Sequence, residues 1–175
     1  YKVEKSLNGS AWTIVETNTA RTSATLTALT NGVPVFVRVA AINAAGTGVG
    51  AIASATPATL PGQPTALTAS QPTANGVALL TWTAPSNTGG SPITGYRIED
   101  SVDGAAFAEV AENSVTSRSP ATNATLSIAN DGKTHVFRVS AVTASGTGTP
   151  SASVLMTALT QPSTIETLTA TASAG

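Results

Sequence analysis

Apolar and polar residues alternate with a period of two along several short stretches of the chain, most clearly over residues 77–83 and 134–143. This period places successive side chains on opposite faces of a β-strand. Clusters of Gly, Pro, Asn and Asp separate the stretches and are typical of turns. The chain is therefore predicted to be all-β. The residues on the inward faces of these two stretches are Ala78, Leu80, Trp82, His135, Phe137, Val139 and Ala141.

Strands of this kind are predicted throughout the region between residues 61 and 160. The Asp-Gly pair at 103–104 is a strong hairpin signal, because it favours the tight turn that joins two antiparallel strands. Short strands spaced by turns are typical of a two-sheet β-sandwich. The predicted strands are 65–70, 77–83, 95–102, 106–109, 124–128, 134–143 and 151–157.

The sequence repeats itself at a spacing of about 100 residues. Residues 37–48 match residues 137–148, and residues 1–9 match residues 96–104. This spacing is the size of a β-sandwich domain and is far longer than a solenoid repeat.

The repeat divides the chain into three parts. We predict a partial domain at 1–60 that lacks its first two strands, a complete domain at 61–160, and the first strand of a further domain at 161–175. The chain is thus expected to be a window onto a longer, extended array.

Four fragments, in this order and spacing, resemble tandem fibronectin type III domains of the Ala-, Thr- and Gly-rich kind found in secreted bacterial proteins. The resemblance implies seven-stranded immunoglobulin-like sandwiches in an extended array. It also implies that the second-strand Trp82 and the third-strand Tyr96 belong to the core. The fragments are Pro-Gly-Gln-Pro at 61–64, Leu-Thr-Trp-Thr-Ala-Pro at 80–85, Gly-Gly-Ser-Pro-Ile-Thr-Gly-Tyr at 89–96, and Phe-Arg-Val at 137–139.

The predicted core of the complete domain combines the alternating positions with those implied by the resemblance. His135 is included as a structural residue, at a place where the family usually has a Tyr; the partial domain has Val35 there. The predicted core residues are Trp82, Tyr96, Leu80, Phe137, Val139, Leu126 and His135.

Two aromatic residues of the partial domain are candidate interface residues. Phe36 has the outward strand parity, whereas the equivalent aromatic of the complete domain, Phe137, points inward. Trp12 is the remaining aromatic that could contact a ligand such as a polysaccharide, although its counterpart Phe107 also favours a packing role.

Composition narrows the possible chemistry. The chain has no Cys, one His, 8 basic and 9 acidic residues. Thiolate metal sites and disulfides are therefore excluded, no cofactor is expected, and nothing indicates nucleic acid binding or membrane insertion. Glu99 and Asp100 are adjacent on a strand and point to opposite faces, so they do not form a carboxylate pair; the acids are expected to lie in turns or on solvated faces. Arg38 and Arg138 are expected to form surface ion pairs with strand acids such as Glu4 and Glu99, respectively.

These features favour a non-catalytic spacer or stalk in a longer secreted, cell-surface or filamentous protein, with neighbouring repeats of the same chain as its partners. An extracellular location is expected, with any export signal outside this segment. Two alternatives remain open. The chain could be a binding module for polysaccharide, a host ligand or like subunits, in an adhesin, filament or virion. It could also supply the linker modules of a secreted polysaccharide hydrolase.

Overall fold

The fold is described from a computed structural model of the chain, over residues 1–17, 19–73, 76–110, 121–160 and 169–170. These residues form antiparallel strands and turns, without a helix. They group into a first unit, residues 1–60, and a second unit, residues 61–160. The strand predicted at 161–175 lies outside the described residues, except for 169–170.

The second unit is a sandwich of two antiparallel sheets. A three-stranded sheet has the order β11-β8-β7, and a larger sheet has the order β10-β9-β12-β13, with β14 also pairing with β12. This arrangement confirms the predicted all-β, immunoglobulin-like sandwich. The strands are β7 (Thr65–Ser70), β8 (Val77–Thr83), β9 (Ile93–Val102), β10 (Ala108–Glu109), β11 (Asn123–Ser127), β12 (Thr134–Thr143), β13 (Gly146–Thr147) and β14 (Val154–Thr157).

The core of the second unit lies between the two sheets and follows the predicted alternation. Along β8 every second residue is buried, and the inward side chains of β9 and β12 face it from the other sheet. Burial of this apolar surface is the main term that holds the sandwich together. The buried apolar residues are Ala78, Leu80, Trp82, Tyr96, Ile98, Ala124, Leu126, Phe137, Val139, Ala141 and Met156.

The first unit contains one main sheet of order β2-β1-β3-β6, and a short hairpin formed by β4 and β5. Between β2 and β3 the described residues run without a strand. The strands are β1 (Lys2–Ser6), β2 (Thr13–Thr17), β3 (Val35–Ala40), β4 (Ile42–Asn43), β5 (Gly46–Thr47) and β6 (Ala51–Ala55).

The inner face of this sheet is only partly covered in the described residues. Val139 of the second unit is fully buried, whereas the equivalent Val39 is 39% exposed. A cleft of about 380 Å³ lies beside the end of β1 and is lined in part by Leu29, Val33 and Val35. The first unit therefore has one layer where the second unit has two.

Candidate functional site

The structure places every predicted core residue of the second unit in its interior. Phe137 and Val139 are fully buried, and the Trp82 ring meets the Tyr96 ring edge-on with centroids 5.0 Å apart. Edge-to-face packing of this kind suits the opposite charges of an aromatic edge and an aromatic face. The buried set is Trp82, Tyr96, Leu80, Phe137, Val139, Leu126 and His135.

His135 contacts an acid inside the sandwich. Its Nδ1 lies 2.7 Å from Oδ2 of Asp100, and its ring stacks on Phe137 at a centroid distance of 5.7 Å. The His135 side chain is 7% exposed and that of Asp100 is 16% exposed. The prediction of a solvated-face or turn charge was therefore wrong for Asp100. Its parity along β9, shared with Ile98 and Val102, was the signal that it faces inward.

The outer face of the second unit carries a buried carboxylate beneath an arginine and an aromatic ring. Arg138 contacts Glu99 through Nε at 2.8 Å, and its guanidinium carbon lies 4.0 Å from the Phe107 ring centroid. Arg97 adds a second contact to Glu99 at 3.1 Å. The hydrogen bond from Arg138, and the charges of both arginines, lower the pKa of Glu99 against the opposing effect of burial.

The first unit repeats this cluster with different residues. Arg38 contacts Glu4 at 2.7 Å and lies over the Trp12 ring at 4.3 Å. Lys2 contacts Glu4 at 2.8 Å; its hydrogen bond, with those of Arg38, lowers the Glu4 pKa.

Both predicted ion pairs form, but they are not the solvated pairs that the sequence suggested. The side chains of Glu4 and Glu99 are only 7% and 6% exposed, respectively. Each acid is held by two basic side chains, and one arginine of each pair also lies over an aromatic ring.

The candidate interface residues Trp12 and Phe36 lie on the outer face of the first unit, and both are half-buried. Arg38 covers one face of the Trp12 ring. A Cβ added at Gly9 would lie 3.8 Å from the Phe36 ring, so this ring lies beside the turn at Gly9. Both rings therefore take part in packing and keep part of their surface in solvent.

The junction between the two units is built from the linker and three turns. Gly32 donates a backbone hydrogen bond to Pro57 O at 2.8 Å, which ties the linker to the first unit. Thr59 donates to Gly89 O at 2.9 Å, which ties it to the second unit. These bonds were not predicted from the sequence, because each joins the linker to a turn that is distant along the chain.

In the described ranges, no three His, Asp or Glu side chains are grouped closely enough to hold a metal ion. The same ranges contain no helix with the length and apolarity needed to cross a membrane.

The two-sheet topology can now be compared with known proteins. The fibronectin type III domain family matches residues 62–157, which is more than half of the chain. The chain belongs to the fibronectin type III family. The match covers the second unit almost completely. A comparison with curated proteins found no match.

Solved structures agree with this fold. Domains A168–A170 from titin match with a TM-score of 0.60 and 17% identity, over 90% of this chain and 54% of that one. The twitchin kinase region from C. elegans matches with a TM-score of 0.50 and 24% identity, over 57% of this chain and 17% of that one. The chain thus spans about half or less of these proteins, and the likeness concerns the fold.

Proposed function

We propose that this chain is a non-catalytic spacer segment of a longer extracellular protein, in which fibronectin type III modules hold other parts at a fixed distance. The observation that carries the proposal is the junction, where the linker bonds to Gly32 of the first unit and to Gly89 of the second. A linker bonded to both neighbours restricts their relative motion, which is what a spacer requires.

The surface chemistry supports the same role. The chain has 10% charged residues and a formal net charge of −1. A surface with so little charge has a weak long-range field, so it attracts few charged partners and depends little on salt. We further propose that the parent protein is bacterial, and secreted or anchored at the cell surface.

Stretching a single molecule tests whether the second unit resists mechanical force, as the spacer proposal requires. We expect one discrete unfolding event from the second unit, with a contour-length gain of about 30 nm for a sandwich of this size. Its sheets must come apart together because they share one core. A smooth extension without a discrete event would contradict the spacer proposal.

The alternative is a binding module whose contact surface is the outer face of the first unit. Half-buried Trp12 and Phe36 lie on this face, and an accessible indole ring can stack on a sugar. A glycan array probed with the parent chain and with Trp12→Ala separates the two roles. The spacer role predicts no glycan binding by either; binding that is lost in Trp12→Ala, with the fold intact, favours the binding module.

A further inference from the structure

We propose that the Gly-Gly turn at 89–90 and the Asn-Gly turn at 31–32 form a specific docking surface between successive modules, and that this surface fixes the angle between them. The inference rests on the proposed spacer function and deepens it, because it names the partner of the junction as another module of the same type. If the docking proposal fails, the distance distribution between the units is broad; if the spacer role fails, the second unit extends smoothly under force, so the two failures are distinguishable.

The first argument is steric. Gly90 has a φ of 86°, and a Cβ added there would overlap the backbone nitrogen of Gly32 and lie 2.8 Å from the Asn31 side chain. From the other side, a Cβ on Gly32 would lie 3.0 Å from the Gly90 Cα. The backbones of the two units are therefore in contact at Gly32 and Gly90, and only glycine permits so close an approach.

The second argument is the bonding of the linker to both units. From the first unit, the Asn31 side-chain amide donates to Thr59 Oγ1 at 3.1 Å, beside the Gly32 bond to the linker. From the second unit, Gly89 O accepts from Thr59, and Asn87 O accepts from Gly62 at 2.8 Å. Thr59 is thus held from both sides, so a change of angle between the units would break at least one of these bonds.

The third argument comes from comparing the two copies of one turn. Gly148 is buried, and a Cβ there would overlap the carbonyl oxygen of Pro61 in the linker. The equivalent Gly48 of the first unit is exposed, and a Cβ added there would lie no closer than 3.7 Å to any atom, the nearest being Ala41 O of its own turn. The turn has similar sequence in both copies, so its burial depends on a linker lying against it.

The far end of the second unit presents a related turn, in which the carboxylate of Asp131 replaces the Asn31 amide and lies 3.4 Å from Lys133 Nζ. Asp131-Gly132 takes the place of Asn31-Gly32, and a Cβ on Gly132 would lie 2.9 Å from Thr160, the counterpart of Thr59. The surface therefore suits a following module with a Gly-Gly turn. The docking surface at 31–32 and 89–90 itself carries no charged side chain, so docking there should depend little on salt.

The test is the distribution of distances between the two units. The chain has no Cys, so Ser54→Cys in the first unit and Ser127→Cys in the second, both exposed, can each carry a spin label. Pulsed electron paramagnetic resonance of the labelled full chain should give a narrow distribution. Gly90→Ala should broaden it at least twofold.

Gly104→Ala is the matched control. Gly104 has a φ of 78°, similar to that of Gly90, but no atom lies within 4 Å of an added Cβ. The variant therefore carries the same backbone strain without the clash, and it should leave the distribution narrow. An unchanged width in Gly90→Ala, or equal broadening in Gly104→Ala, would overturn the proposal.

A second variant keeps the test decisive if Gly90→Ala fails to fold. Gly32→Ala introduces the clash from the first unit, so it leaves the second unit free of any substitution. With Trp82 fluorescence showing a folded second unit, Gly32→Ala should also broaden the distribution. A narrow distribution in folded Gly32→Ala would show that the contact does not set the angle.

Discussion

The two units share a sequence pattern but differ in closure, because two sheets pack face to face in the second unit, whereas the main sheet of the first unit has no second sheet against its inner face in the described residues. Val139 is fully buried between the sheets, whereas Val39 is 39% exposed on the open inner face. Burial at these positions is therefore decided by whether a second layer faces them. The Arg-Val pair at these positions is the same in both units.

The segments that precede β12 and β3 show that secondary structure also depends on a packing partner. Residues 122–126 read Thr-Asn-Ala-Thr-Leu and lie largely in β11, which pairs with β8. Residues 22–26 read Thr-Ser-Ala-Thr-Leu and form no strand. A strand is stable when a neighbour satisfies its backbone groups, so the difference reflects the pairing partner rather than local propensity.

The largest expected effect comes from supplying the first unit with a second layer. A chain with an additional copy of residues 61–95 fused ahead of Tyr1 places β7- and β8-type strands next to the open face. We expect residues 23–27 to become protected from hydrogen exchange. The first unit should then unfold cooperatively, with a stability of about 5 kcal/mol or more, as is usual for a closed domain.

The control for this fusion is the same added segment with Asp in place of its copies of Leu80 and Trp82. It has the same length but cannot bury an apolar face, so residues 23–27 should remain unprotected. Equal protection with both segments would show that closure does not depend on the inward side chains.

The second prediction compares a Leu→Ala substitution at the equivalent positions 126 and 26 of the two units. Leu126 is 1% exposed, and Leu126→Ala should lower the unfolding free energy of the second unit by about 2–5 kcal/mol, through lost burial and a cavity. Leu26 is half-buried on a segment without a strand, so Leu26→Ala should cost less than about 1 kcal/mol.

Each unit carries one of the two Trp residues, Trp12 and Trp82, so denaturant unfolding can be followed in each unit by fluorescence after the other Trp is replaced by Phe. Losses of similar size in both units would contradict the contrast between an open and a closed core.

The smallest expected effect concerns acid sensitivity. The pKa of Glu99 is lowered in the folded state, mainly by the Arg138 hydrogen bond, so the unfolded state takes up the proton first as the pH falls. The stabilisation is complete above the unfolded pKa of about 4.3 and is lost as the pH falls through the folded pKa. Glu99→Gln should therefore flatten the decline in the stability of the second unit below about pH 5, by less than about 1 kcal/mol in total.

Glu4→Gln is the matching change in the first unit, because the pKa of Glu4 is also lowered. It should flatten the acid response reported by Trp12 in the same direction. A Glu99→Gln variant whose stability falls as steeply with acid as that of the parent would contradict the role given to the Arg138 contact.

Much of the second unit could be predicted from the sequence, since alternation and turns depend on neighbouring residues. The bounds of β7, β8 and β12 were predicted without error, and β14 begins three residues later than the predicted strand. The Arg38–Glu4 and Arg138–Glu99 pairs were also predicted, because parity places each arginine and its acid on one face. Their burial was not, since it depends on rings contributed by other strands.

The His135–Asp100 contact and the junction were beyond reach of the sequence for the same reason. His135 and Asp100 lie on different strands, 35 residues apart, and meet only when β9 and β12 pair. The sequence predicts only a turn at Gly90. Its contact with Gly32 could not be predicted, because the two residues are distant along the chain.

The sequence by itself determined the all-β class, the repeat, the strand parity and the residues of the second core, because these follow from the order of side chains along the backbone. The tertiary structure alone decided that Glu99 is withdrawn from water, that Asp100 contacts His135, that the first unit has an open face, and that the units meet through glycine backbone. These features depend on contacts between residues that are distant along the chain, and such contacts are set by three-dimensional packing.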